Sequence, residues 1–177
     1  MPLRGLGLAG IAFFALAVAC QPSSTAASGA TPTGGPPDAR SATFVIEKQS
    51  VTLVNGRAEK EAAPGSATKV VTTLGVQRTT ADVDGDGRPD TVAILIQQPG
   101  GSGTFYYVAV LLNPFGGVIA TPAVLLGDRI TVTGVRVDGR TVLVDILDRA
   151  ADQPLTASPS VPSTKRFTVD HGALLPQ

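Results

Sequence analysis

From residue 43 to its end this sequence is a succession of short apolar, β-branched runs separated by turn residues. Residues 43–47 alternate, with Phe44 and Ile46 on one face. Residues 51–54 run into Asn55-Gly56, a pair that accepts positive φ and is the strongest two-residue hairpin signal, so residues 57–61 are expected to return beside them. Strand character recurs at 69–76, 91–96, 104–112, 118–126, 130–137, 141–146, 165–169 and 173–175. Asp138-Gly139-Arg140 and Asp170-His171-Gly172 supply further hairpin turns. Eight to ten short strands with regular turns and no convincing amphipathic helix predict an antiparallel β sandwich or open barrel. Sequential hairpins make a meander the expected order. A short helix around 65–73 is the one expected exception, and 151–163, rich in Pro and Ser, is expected as a surface loop.

Composition agrees. Twenty glycines, 14 prolines and no tryptophan describe a turn-rich, helix-poor chain. Lys and Arg number 14 and so do Asp and Glu. A chain without net charge has no electrostatic reason to bind nucleic acid. The single cysteine, Cys20, excludes an internal disulfide.

That cysteine closes an apolar run. Arg4 supplies a positive charge, residues 5–19 a hydrophobic stretch, and Ala19-Cys20 a small-residue cleavage point. The run is short of the ~20 apolar residues that a membrane-spanning helix needs, but suits the core of a secretory signal. The segment resembles a bacterial lipoprotein signal, with Ala17 where that pattern prefers Leu. The resemblance implies that Cys20 is acylated and becomes the first residue of the mature chain. It further implies the outer membrane as destination in a diderm cell, and the outer face of the cell membrane in a monoderm one. The alternative is an ordinary secretory signal in which Cys20 is incidental. Residues 21–41 hold Ser, Thr, Ala, Gly and Pro but no large apolar side chain, and read as a flexible tether. The expected organisation is a signal at 1–19, a lipidated cysteine and linker at 20–41, and one β-rich domain at 42–177.

One segment carries chemistry: Asp82-Val83-Asp84-Gly85-Asp86-Gly87-Arg88-Pro89-Asp90. Four carboxylates in so short a loop repel one another, and a hard dication that takes six to eight oxygens removes the repulsion. Asp82, Asp84, Asp86 and Asp90 are the expected carboxylate ligands. Arg88 is expected to give its backbone carbonyl and to screen the remaining charge with its side chain. The spacing matches the first half of an EF-hand loop, but the twelfth position is Ala93, so the closing bidentate Glu of that motif is missing. The segment resembles the calcium loop of FG-GAP repeats, which leads straight into an apolar strand, as Thr91 to Ile96 does here. That resemblance covers about fifteen residues, occurs once, and implies calcium but no multi-bladed propeller. The alternative is an acidic turn that binds nothing. More broadly, VTLVNG, EAAPGSATKVVT, DVDGDGRPD, GGSGTFYYVAVL and LLGDRI are similar, in that order, to segments of a set of small exported bacterial lipoproteins. Residues 43–170 carry this similarity, which implies a shared architecture and transfers no activity.

Other constellations are weaker. Gly100-Gly101-Ser102-Gly103 lacks the Lys-Ser/Thr ending of a phosphate loop and does not open a helix. Phe105 and Tyr107 share a face opposite Tyr106, and core packing is the simpler reading than a stacking platform. His171 is expected as an exposed turn residue with no partner for zinc or nucleophile chemistry. Acids for hydrolysis would come from Asp128, Asp145 or Asp148, although Asp128-Arg129 and Asp148-Arg149 read better as ion pairs at strand ends. The expected function is a lipid-anchored extracytoplasmic envelope protein with a structural calcium loop, which binds a protein or glycan. An envelope hydrolase using these Asp residues and an inhibitor of another enzyme are the alternatives.

Overall fold

The computed structural model describes residues 34–177, so the signal, Cys20 and the linker up to residue 33 lie outside the described residues. The strands are β1 (Thr43–Ile46), β2 (Gln49–Thr52), β3 (Arg57–Glu61), β4 (Lys69–Ala81), β5 (Asp90–Gln98), β6 (Phe105–Leu112), β7 (Ile119–Ala120), β8 (Val124–Asp128), β9 (Thr131–Asp138), β10 (Thr141–Asp148), β11 (Val161–Asp170) and β12 (Ala173–Pro176). The helical content among the described residues is one 3-10 turn, Ala39–Ser41, and no helix there is long and apolar enough to cross a membrane. The fold is mainly β, its named strands pair antiparallel throughout, and no barrel closes among the described residues.

A six-stranded sheet runs β3-β4-β5-β6-β7, with β8 also on β6, and a four-stranded sheet runs β12-β11-β10-β9. Each is a meander of neighbours in sequence, as expected from the hairpin turns. The strands β5 and β6 explain the layering. Both are buried on both faces. Val92, Ile94, Val108, Val110 and Leu112 meet Val132, Val142, Val144, Ile146, Phe167 and Leu174 of the smaller sheet. Ala93, Leu95, Tyr107, Ala109 and Leu111 face the other way, against Phe44, Ile46 and Val51 of the β1–β2 hairpin, Leu53 and Ala39. Truncating a large member of either cluster to Ala costs about 2–5 kcal/mol. Phe44 and Ile46 do share a buried face, and Phe105 and Tyr107 pack in the second cluster while Tyr106 packs against the first. The aromatic triplet is core packing.

Several expected elements differ. The turn at Asn55-Gly56 exists, with φ of 53° and 82° and a bridge between Val54 and Arg57, but the flanking strands part. The strand β2 pairs with β1, and β3 pairs with β4. The β1–β2 hairpin turns instead at Glu47-Lys48, both left-handed with φ of 49° and 68°, a conformation such residues seldom adopt. The expected helix at 65–73 is a turn followed by β4, because Val70, Val71, Thr72 and Thr73 are β-branched and pair with β3. The expected continuous strand at 118–126 is broken: Thr121 turns inward, donating its N–H to the Val110 carbonyl and accepting the Val110 N–H on its hydroxyl. The loop expected up to 163 ends sooner, since β11 begins at Val161 and Pro162 pairs with Leu147. A proline is tolerated there because β12 pairs β11 only from Phe167 onward, leaving the other side of Pro162 without a strand.

The domain also starts before Ala42. Pro37 and Ala39 are buried, the Pro37 carbonyl accepts from the Thr91 hydroxyl, and the Arg40 carbonyl accepts from Gly56 N–H. Residues 34–41, expected within the flexible linker, are part of the fold. Small side chains there gave no hydrophobic signal, yet their backbone groups are what the sheet uses.

Candidate metal centre

The loop between β4 and β5 is organised by its own carboxylates. Asp82 accepts Gly85 N–H on one oxygen at 2.7 Å and Gly87 N–H on the other at 2.9 Å. Asp84 accepts Asp86 N–H at 3.1 Å, and Asp86 accepts Arg88 N–H at 2.8 Å. These side-chain-to-backbone bonds curl the chain so that Asp82, Asp84 and Asp86 each bring an oxygen within 4.8 Å of the others. Two oxygens bound to one calcium at about 2.3–2.6 Å lie no more than about 5 Å apart. The three carboxylates therefore fit a hard cation. Each oxygen already accepting an N–H retains a second lone pair for an ion.

Asp90 does not join them. Its side chain is 0% exposed, and its oxygens accept Val83 N–H at 2.9 Å and Asn113 N–H at 3.0 Å. Burial pushes its carboxyl above the usual carboxylate range; the two N–H donors oppose that shift, and the Asp84 and Asp86 charges add to it. Its geometry is that of a clamp between the loop and the end of β6. The expectation of a fourth carboxylate ligand came from spacing alone, which does not show that the start of β5 is inside the protein.

Arg88 also differs from expectation. Its guanidinium turns away from the acids, donates to the backbone and side-chain oxygens of Asn113, and lies 4.7 Å from the centre of the Phe115 ring. The charge lying over the loop belongs to Arg140, in the β9–β10 turn, which donates to the carbonyls of Val83 and Asp84. Gly85 has φ of 85°, and a Cβ there would meet the Arg140 guanidinium carbon at 3.2 Å, so glycine serves both the turn and this contact. No local pattern points to Arg140, fifty-odd residues away; only the packing of the smaller sheet against the larger brings it in. A shallow groove beside the loop is lined by Asp84, Asp86, Arg140, Asp170 and His171. His171 sits in its turn at φ of 47°, with its side chain 93% exposed and Nδ1 2.8 Å from Asp170.

The acids considered for hydrolysis are dispersed and engaged. Asp128 pairs with Arg129 at 3.1 Å and accepts Thr104 N–H at 2.8 Å. Although partial burial raises its pKa, those two donors and the charges of Arg129 and Arg149 hold the Asp128 carboxyl below its usual range. Asp145 pairs with Arg136 and accepts the Thr164 hydroxyl at 2.6 Å. The expected Asp148–Arg149 ion pair is replaced by a bond from Arg149 N–H to Asp148, while the Arg149 guanidinium donates to the Ala157 carbonyl. Asp128, Asp145 and Asp148 each already hold a hydrogen-bond donor, and the groove beside the loop is lined instead by Asp84, Asp86 and Asp170.

The architecture is thus an antiparallel β sandwich bearing one acidic loop in which three carboxylates converge. No protein-family model, curated protein or solved structure matches the chain.

Proposed function

We propose that this chain is a lipid-anchored extracytoplasmic envelope protein whose β sandwich is a binding module, with a calcium ion held by the Asp82, Asp84 and Asp86 carboxylates as a structural element. The observation that carries the calcium reading is the convergence of three carboxylate oxygens within 4.8 Å of one another in a loop already curled by its own hydrogen bonds. The ion would neutralise the cluster and lock the β4–β5 connection, with Arg140 capping the loop carbonyls from outside. Extracellular calcium modules commonly bind at about 10⁻⁴ to 10⁻³ M, which external calcium supplies. The anchor reading rests on Arg4, the apolar run and Ala19-Cys20. The partner is a protein or glycan of the envelope, and near-neutral charge argues against nucleic acid.

Calcium is tested by thermal unfolding and calorimetry. An ion that binds only the folded loop adds RT ln(1 + [L]/Kd), about 2.7 kcal/mol at a hundredfold excess over Kd. The Tm is expected to rise with calcium, fall with chelator, and lose that dependence in Asp84→Ala. Identical melting curves in chelator and in millimolar calcium, with no heat of binding, would reduce the loop to an acidic turn. The anchor is tested by Cys20→Ser, expected to block processing at that site or release the protein from membranes. A mutant that stays in the membrane fraction at the normal mature size refutes it.

A further inference from the structure

Three segments meet at the end of the sandwich that carries the acidic loop. Asp90, at the base of that loop, accepts Asn113 N–H, and the Asn113 side chain donates to the Gly35 carbonyl at 3.4 Å. The β6–β7 turn that Asn113 opens carries Phe115, 88% exposed, and Val118, 53% exposed, and leads into Ile119 at the start of β7, 55% exposed. Val118 shares a shallow groove with Pro37, Asp38, Ala42 and Thr43. The described chain therefore begins beside an apolar loop tip. Isolated exposed apolar residues are ordinary, but an aromatic and two β-branched side chains exposed within one stretch of 115–119 concentrate apolar surface at this end. The Phe115 ring carries the Arg88 guanidinium beside it, an apolar surface with a cation at its rim.

We infer that this Phe115–Ile119 tip docks into the lipid surface to which Cys20 is attached, so that the domain stands on the membrane with its acidic-loop end inward. The inference rests on the anchor reading above. Covalent geometry supports the choice of occupant: the chain from Cys20 to Gly34 spans at most about 50 Å even when fully extended. The bilayer is therefore within reach of the end where Gly34 lies. A tip of three side chains is far short of the roughly 800 Å² per partner that a stable protein interface buries. It suffices for a domain that its own tether already holds at high local concentration. Apolar side chains then enter the boundary of headgroups and acyl chains, and the Arg88 guanidinium remains at headgroup level beside the phosphates.

The test uses the processed protein reconstituted through its own anchor into phosphatidylcholine vesicles with brominated acyl chains. In the acylated chain the Cys20 sulfur is a thioether, so an introduced cysteine is the sole labelling site. A fluorophore is placed at Val118→Cys or, as control, at Leu155→Cys. Leu155 is exposed in the loop after β10, which leaves the opposite end of that strand from Arg140. Bromine quenching is expected to be several-fold stronger at 118 than at 155. Adding Phe115→Asp is expected to lower it at 118 to the level at 155 with Tm unchanged. Equal quenching at both positions, in protein whose mass shows the acyl chains, overturns the docking and leaves the anchor standing. Absence of acyl mass removes the anchor reading and the docking with it.

Discussion

Replacing Asp90 by alanine removes the acceptor for two buried backbone donors, Val83 N–H and Asn113 N–H, at a position with no access to water. A buried donor left without a partner costs about 1–3 kcal/mol, so the two together are expected to cost about 2–6 kcal/mol. A compensating term works in the other direction. Burial raises the Asp90 pKa, which means the folded protein holds this carboxylate against a desolvation cost that alanine removes. The expected net loss is about 2–4 kcal/mol, a large share of the 5–15 kcal/mol typical of a whole domain. Asp90→Asn discriminates further. Its amide oxygen can still serve one donor, but its NH2 must face the other, and two donors repel. Asn is therefore expected to recover less than half of the loss. Urea unfolding at constant m-value measures both variants. Both variants are expected to keep a calcium-dependent Tm shift, because the carboxylates that converge are Asp82, Asp84 and Asp86. An Asp90→Ala protein within about 0.5 kcal/mol of wild type would refute the clamp, and an Asp90→Asn protein of near-normal stability that has lost its calcium response would return Asp90 to the ion.

Acid sensitivity follows the same reasoning with the sign reversed between sites. The raised Asp90 pKa favours the folded state at low pH, and that contribution is lost as pH climbs from the ordinary Asp range through the folded value. Asp128, lowered by Arg129 and Thr104 N–H, contributes stability above its unfolded pKa and loses it as pH falls through the folded one. Asp128→Asn is therefore expected to flatten the acid limb of the stability-pH profile, which denaturant titrations from pH 6 downward measure. Lys48→Gly is expected to stabilise the protein by up to about 1 kcal/mol, since φ of 68° strains a lysine and not a glycine; a lower Tm would refute this. Arg140→Ala is expected to cost about 1–2 kcal/mol by freeing the carbonyls of Val83 and Asp84, read by urea unfolding of the calcium-free protein.

The strand pattern was readable wherever period-two alternation or a β-branched run coincided with local turns, as in the β9–β10 and β11–β12 hairpins. It failed where pairing partners are chosen by tertiary contacts. Asn55-Gly56 makes the turn its residues favour, yet the chain on either side joins different sheets, because Val51 and Leu53 bury against one face of β5 and β6 while β3 extends the large sheet beside β4. Nothing local in Glu47-Lys48 announces a hairpin. The turn is imposed by burying Phe44, Ile46 and Val51 together, with Glu47 then accepting the Tyr107 hydroxyl at 2.9 Å.

The acidic loop shows the same division in finer detail. Asp82, Asp84 and Asp86 converge because carboxylates at alternate positions bond the backbone two to five residues ahead, a local rule that sequence carries. Asp90 and Arg140 obey no local rule. Their roles are set by which strand end each meets: Asp90 the end of β6 through Asn113, and Arg140 the loop itself through the packing of the smaller sheet on the larger. Both residues tie the acidic segment to the sandwich. Binding energy at Asp82, Asp84 and Asp86 would therefore be transmitted to the first pair of β5 and β6, where Asn113 also holds Gly35. Asn113 bonds to the base of the loop and to the start of the domain, and its loss should uncouple them: Asn113→Ala is expected to release Gly34 and Gly35, seen as lower backbone order parameters there by NMR, while those of β10 stay unchanged.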